Sequence, residues 1–83
     1  MGELESRKSR LIMEGRFLVD AVSMDDRKRG AELLRAAADI EDVLANTATE
    51  RPGGPTRADH ARSAASCRAL AARVTAETTN APA

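Results

Sequence analysis

The chain has 83 residues, with 13 acidic and 13 basic side chains, so it forms at most one domain and its net charge offers no general attraction to nucleic acid or anionic membranes. Hydrophobic residues make up 42% of the sequence, but 17 residues are alanines, which bury little surface, and only one residue is aromatic. This composition favours helices over strands and predicts a marginally stable fold that association would stabilise.

The first predicted element is a helix over residues 3–22 with two apolar sides. One side carries Leu11, Leu18 and Val22, widened by Ile12 and Val19. The opposite side carries Met13, Phe17 and Met24, with Ala21 beside them. Gly15 lies on the first side, where a glycine permits the close approach of a neighbouring helix. A helix that is apolar on two sides has to be covered on both, which predicts two neighbours.

The second predicted helix covers residues 24–48 and begins at Ser23, a good N-cap residue, with Asp26 three positions later. Its main apolar stripe is predicted to be Leu33, Ala37, Ile40 and Leu44, widened by Ala36 and Val43. A second, thinner side of mostly small residues is predicted from Leu34, Ala38 and Ala45. Asp39, Glu41 and Asp42 are predicted to form a solvated face. The short break after the first helix favours an antiparallel hairpin, and the alternative is a single long, kinked helix.

A Pro- and Gly-rich stretch then predicts a linker over residues 49–55. The third helix is predicted over residues 56–77, with Thr56 as its N-cap and Asp59 completing the cap. Its apolar sector is shallow and consists of His60, Ser63, Ala64, Cys67, Leu70, Ala71 and Val74. We expect this to be the weakest element, followed by a flexible tail over residues 78–83.

Together these patterns predict an all-α fold in a single domain over residues 1–77. The expected architecture is an antiparallel helical hairpin with a third, more weakly packed Ala-rich helix. This describes either a three-helix bundle or a hairpin-based oligomer.

The sequence offers little that predicts an enzyme. His60 is the only histidine, and Cys67, the only cysteine, lies two helical turns away on the same face. Metal binding and catalysis need several ligands or a positioned partner, and no such motif accompanies either residue. We therefore interpret His60 as a packed or exposed histidine and Cys67 as a small core residue. The prediction is a non-enzymatic protein with no catalytic residues, no cofactor and no metal.

The second apolar side of the first helix predicts the function. We expect a small protein–protein interaction module that self-associates, assembles as a subunit or binds a partner helix in the manner of a chaperone. The predicted partner-binding residues are Met13, Phe17, Ala21 and Met24, and a homo-oligomer is expected.

The chain has no apolar run of membrane-spanning length, and its first ten residues carry mixed charge without a signal-peptide pattern. These features, with a single cysteine and an Ala- and Arg-rich composition, predict a cytoplasmic protein of bacterial or phage origin.

The alternative function is a small nucleic-acid-binding regulator that uses arginines of the third helix. These candidates are Arg57, Arg62, Arg68 and Arg73. They fall on two sides of the apolar sector instead of forming one basic stripe, an arrangement typical of the solvated flanks of a packed helix.

Overall fold

The structure is a computed structural model that describes residues 2–47 and 53–80, with side chains described as far as residue 77. Within these ranges the chain forms three α-helices and no strand: α1 (Glu3–Val19), α2 (Met24–Thr47) and α3 (Arg57–Asn80). The central helix is α2, which packs closely against both neighbours, whereas α1 and α3 touch only weakly. The predicted all-α architecture, a helical hairpin with a third helix, is confirmed. The expectation that the third helix packs more weakly is wrong, because α3 lies against α2 as closely as α1 does and contributes buried residues to the core.

Both predicted helix starts are present. The backbone N–H of Asp26 points at Ser23 Oγ, at 3.5 Å, where α2 begins. At the start of α3, the N–H of Asp59 donates to Thr56 Oγ1 at 3.1 Å, and the N–H of Thr56 donates to Asp59 Oδ2 at 2.9 Å. These reciprocal bonds satisfy backbone donors that a helix end leaves without a partner. The backbone bond to Asp59 is the main reason why the pKa of its carboxyl lies below the usual value.

The break between α1 and α2 excludes one long kinked helix and comes earlier than predicted. Val22 was predicted on the packed side of the first helix, but α1 ends at Val19 and Val22 is 99% exposed in the connection. The connection is held by side-chain capping, because Arg27 Nε donates to the carbonyl oxygen of Ala21 at 2.6 Å. Residues beyond the end of a helix no longer follow its periodicity, which is why the predicted stripe fails at this point.

Two glycines set how closely α1 and α2 approach. A Cβ atom added to Gly30 would lie 2.8 Å from the backbone nitrogen of Val19 and 2.9 Å from the carbonyl oxygen of Gly15. A Cβ added to Gly15 would lie 2.7 Å from Leu34 Cγ. The absence of a side chain at both positions therefore lets the two backbones meet directly, as the position of Gly15 predicted.

The buried face of α2 lies between the two predicted apolar sides. It includes Ala37 and Leu44 of the main stripe and Leu34 and Ala38 of the second side. The buried residues of α2 are Gly30, Ala31, Leu34, Ala37, Ala38, Glu41 and Leu44, whereas Leu33 and Ile40 are half-buried and Ala36 and Val43 are exposed. On a helical wheel the observed face is turned by about 90° from the predicted main stripe. The main stripe followed the large apolar residues, but α2 lies between two helices and uses its smallest residues where they come closest.

The predicted sector of α3 is confirmed. His60, Ala64, Cys67, Ala71 and Val74 are buried, and Ser63 and Leu70 are half-buried. The helix continues to Asn80, so positions 78–80 of the predicted tail are helical. Residues 53–55 of the predicted linker are non-helical, and Gly53 has a φ of 77°, in the left-handed region that glycine tolerates. The remaining linker and tail positions, and residue 48, lie outside the described residues.

Candidate protein-binding face

The outer side of α1 carries the largest exposed apolar side chains of the described chain. Phe17, the only aromatic residue in the sequence, is 78% exposed, and Met13, one turn before it, is 73% exposed. This exposure results from the way α1 packs on α2. Gly15 is buried against α2, and Met13 and Phe17 lie on the opposite side of the helix. Neither α2 nor α3 covers this side, which we call the outer face of α1.

The other two predicted partner-binding residues lie at the border of this face. Ala21 is half-buried in the connection after α1, where its carbonyl oxygen accepts the Arg27 hydrogen bond. Met24 is the first residue of α2 and is 38% exposed. The four predicted residues therefore do not form one helical stripe, and Met13 and Phe17 provide most of the exposed apolar surface among them.

Charged side chains surround the outer face. Arg10 within α1 and Asp20, the residue directly after it, are exposed at the two ends of this face. Beside Phe17 lies an open groove of about 330 Å³ between α1 and α2, lined by Glu14, Phe17, Leu18, Asp26 and Arg29. An apolar centre with a charged rim is the arrangement that protein interfaces commonly show.

A buried polar cluster, which the apolar periodicity does not predict, links all three helices. Glu41 of α2 is only 2% exposed, so its predicted place on a solvated face is wrong. Its Oε1 atom lies 3.1 Å from Lys8 Nζ of α1 and 2.9 Å from His60 Nδ1 of α3. Burial acts to raise the pKa of the Glu41 carboxyl, but hydrogen bonds from Ser63, His60 and Lys8 outweigh it and hold that pKa below the usual value.

A signal for this burial exists in the sequence. Glu41 lies seven residues after Leu34 and three before Leu44, so it shares a helix face with both. This spacing indicates burial of Glu41 only when the buried face of α2 is known to centre near Leu34. Among the described residues no buried side-chain nitrogen or oxygen lacks a hydrogen-bond partner, so the cluster is fully satisfied.

The cysteine and histidine lie in the interior. Cys67 is 2% exposed, and burial raises the pKa of its thiol, which keeps it in the weakly reactive protonated form. His60 is 6% exposed and engaged with Glu41. The described residues contain no group of three or more His, Cys, Asp or Glu side chains arranged to hold a metal ion.

The arginines of α3 that support the nucleic-acid hypothesis are partly engaged by carboxylates. Arg68 Nη2 lies 2.5 Å from Asp42 Oδ2 and 3.1 Å from Asp39 Oδ1, which ties α3 to α2. Arg62 pairs with Asp59 at 2.5 Å. Arg57 and Arg73 are exposed. The nucleic-acid hypothesis stays a prediction, and both Arg62 and Arg68 are engaged by carboxylates of the same chain.

Comparison of the chain with protein-family models, curated proteins and solved structures finds no match. None of the described helices combines the length and the apolar character needed to cross a lipid bilayer.

Proposed function

We propose that this protein is a non-enzymatic interaction module that binds another protein chain through the outer face of α1. Self-association, assembly as a subunit and chaperone-like binding of a partner helix all belong to this class. The observation that carries the proposal is the exposure of Met13 and Phe17, at 73% and 78%.

Large apolar side chains are scarce in this protein, which has one Phe, three Met and no Trp or Tyr. Burying a Phe or Met side chain contributes about 1.5–3 kcal/mol. A marginal protein gains nothing from leaving both in water, yet Phe17 and Met13 lie outside a core built largely from alanines. Aromatic residues and methionine are enriched in protein interfaces, and methionine adapts to irregular partner surfaces. A partner that covers the outer face therefore recovers the burial that the fold omits.

The cellular setting is part of the same proposal. The single cysteine has no second cysteine for an internal disulfide, which supports a reducing compartment such as the cytoplasm. The Ala- and Arg-rich composition supports a bacterial or phage source.

Site-specific photo-cross-linking tests the proposal. Benzoylphenylalanine is placed at position 17, and in a matched control at position 61, where Ala61 is exposed on α3. After irradiation in the cells that make the protein, we expect adducts from position 17, weakened by Met13→Glu, and none from position 61. No adduct from position 17, or equal adducts from both positions, would contradict an interaction through this face.

A stability measurement complements the cross-linking. Because Phe17 is largely exposed, Phe17→Glu should change the free energy of unfolding by less than about 0.5 kcal/mol. Val43→Glu, at a residue of α2 that is 46% exposed, is the control for adding a carboxylate to an exposed apolar position. A loss of several kcal/mol in a monomeric Phe17→Glu variant would show that Phe17 belongs to the core.

A further inference from the structure

We propose that the partner of the outer face is a second copy of this chain, with the two α1 helices packed side by side in antiparallel orientation. This inference rests on the proposed function, because it names the partner of the same face. The observation that carries it is a self-complementary order of residues along the exposed side of α1.

Four exposed residues lie along that side: Arg10, Met13 and Phe17 within α1, and Asp20, the C-cap residue directly after it. At 100° per residue, Arg10, Met13 and Phe17 fall within a sector of about 60°, opposite to the side on which Gly15 meets α2. Asp20 follows three residues after Phe17, directly after the last residue of α1. The spacing of the four residues, three, four and three positions, is the spacing of alternating core positions in paired helices. The sector is therefore a continuous seam that a second helix can follow.

The order of these residues is complementary when the seam is reversed. If the two-fold axis crosses the seam at the level of residue 15, Met13 lies level with Phe17 of the second copy, since both are two residues from the centre. Arg10 lies level with Asp20 of the second copy, since both are five residues from it. At 1.5 Å per residue, Arg10 and Asp20 are about 15 Å apart along one helix, so the two ion pairs flank both ends of the apolar centre.

A parallel pair lacks this complementarity. It would bring Arg10 beside Arg10 and Asp20 beside Asp20, and like charges placed together oppose association. The charge order therefore selects the antiparallel arrangement. The charge order also favours a second copy of this chain as the partner. The seam of one copy carries the apolar residues and the opposite charges that the seam of the other copy needs.

The seam predicts a weak pair. Only two large apolar side chains per copy lie in it, so the buried surface is on the order of 600 Å² in total, below the roughly 1,200 Å² of stable interfaces. We expect monomers at low concentration and dimers at high concentration, in rapid exchange.

Charge exchange between positions 10 and 20 tests the pairing. Arg10→Asp places Asp beside Asp20 in both symmetric contacts, and Asp20→Arg places Arg beside Arg10. In sedimentation velocity over a concentration series, each single variant should have a Kd at least about tenfold above that of the wild type. An equimolar mixture of the two variants restores opposite charges in both contacts and should return the Kd to within about threefold of the wild-type value.

Arg73→Asp is the matched control, because it makes the same charge change at an exposed position of α3 and should leave the Kd unchanged. Circular dichroism of every variant checks that the helices are retained. Loss of affinity in each single variant together with restoration in the mixture supports the antiparallel pair. A parallel pair would have like charges at both levels in the wild type as well as in each variant, and a purely apolar contact would not respond to charge exchange.

Any one of the following outcomes overturns the inference. Single charge variants that dimerise as well as the wild type would exclude the ion pairs, and a mixture that stays monomeric would exclude the antiparallel register. A wild-type chain that is monomeric throughout, while benzoylphenylalanine at position 17 captures a different protein, would overturn self-pairing and leave the proposed function intact. If position 17 also captures nothing, both proposals fail.

Discussion

The contact between Gly15 and Gly30 determines how α1 packs against α2 and therefore which side of α1 is exposed. Replacing Gly30 by alanine places a Cβ 2.8 Å from the backbone nitrogen of Val19 and 2.9 Å from both the Gly15 carbonyl oxygen and Leu18 Cβ. Ordinary contacts begin near 3.4 Å, so the two helices must separate by about 0.6 Å. Two of the three opposing atoms belong to the backbone and cannot move away by changing a rotamer.

The magnitude follows from two opposing effects. Alanine is about 1 kcal/mol better than glycine inside a helix, whereas overpacking a core costs about 1–3 kcal/mol. Because the collision at Gly30 involves backbone, we expect the upper part of that range and a net loss of about 1–2 kcal/mol. For a domain of this size such a loss lowers Tm by about 5–15 °C.

The assay is urea and thermal unfolding followed by circular dichroism. Ala36→Gly is the matched control, because Ala36 is exposed on the same helix and reports the difference in helix propensity alone. The reasoning is refuted if Gly30→Ala is as stable as the wild type or more stable while Ala36→Gly loses about 1 kcal/mol. The backbones of α1 and α2 would then not meet at this point.

Three further predictions test the interior. Leu34→Ala should cost about 2–5 kcal/mol, and more than Leu33→Ala, because Leu34 is fully buried and Leu33 half-buried; equal losses in urea titrations would contradict the observed face of α2. The folded-state pKa of Glu41 lies below its usual value of 4.5, so its ionised form stabilises the fold above that pH, and this stabilisation is lost as the pH falls through the lowered pKa. Glu41→Gln should therefore be less stable at neutral pH by about 1–3 kcal/mol and should lose part of the acid dependence seen in urea titrations at several pH values; an unchanged dependence would speak against the ionised cluster. Cys67 should react slowly with a thiol reagent in native buffer and rapidly past the unfolding midpoint, because it is buried and its pKa is raised; rapid labelling of the folded chain would contradict its burial.

The sequence alone determined the local structure of this protein. Ser23 and Thr56 mark helix starts because a side-chain oxygen satisfies the exposed backbone N–H groups, and this requires only neighbouring residues. The buried sector of α3 was also predictable, because this helix has one apolar side. The two apolar sides of the first helix were evident as well, and they led to Met13 and Phe17 as candidate binding residues.

The tertiary structure decided which sides are covered. The buried face of α2 depends on Gly30 and its alanines, which carry little hydrophobic signal and matter because they let helices approach. The burial of Glu41 depends on Lys8 and His60, which come from two other helices and compensate its desolvation. The exposure of Phe17 also depends on helix packing. The periodic pattern shows that this side of α1 is apolar, but the packing of Gly15 against α2 turns it toward solvent.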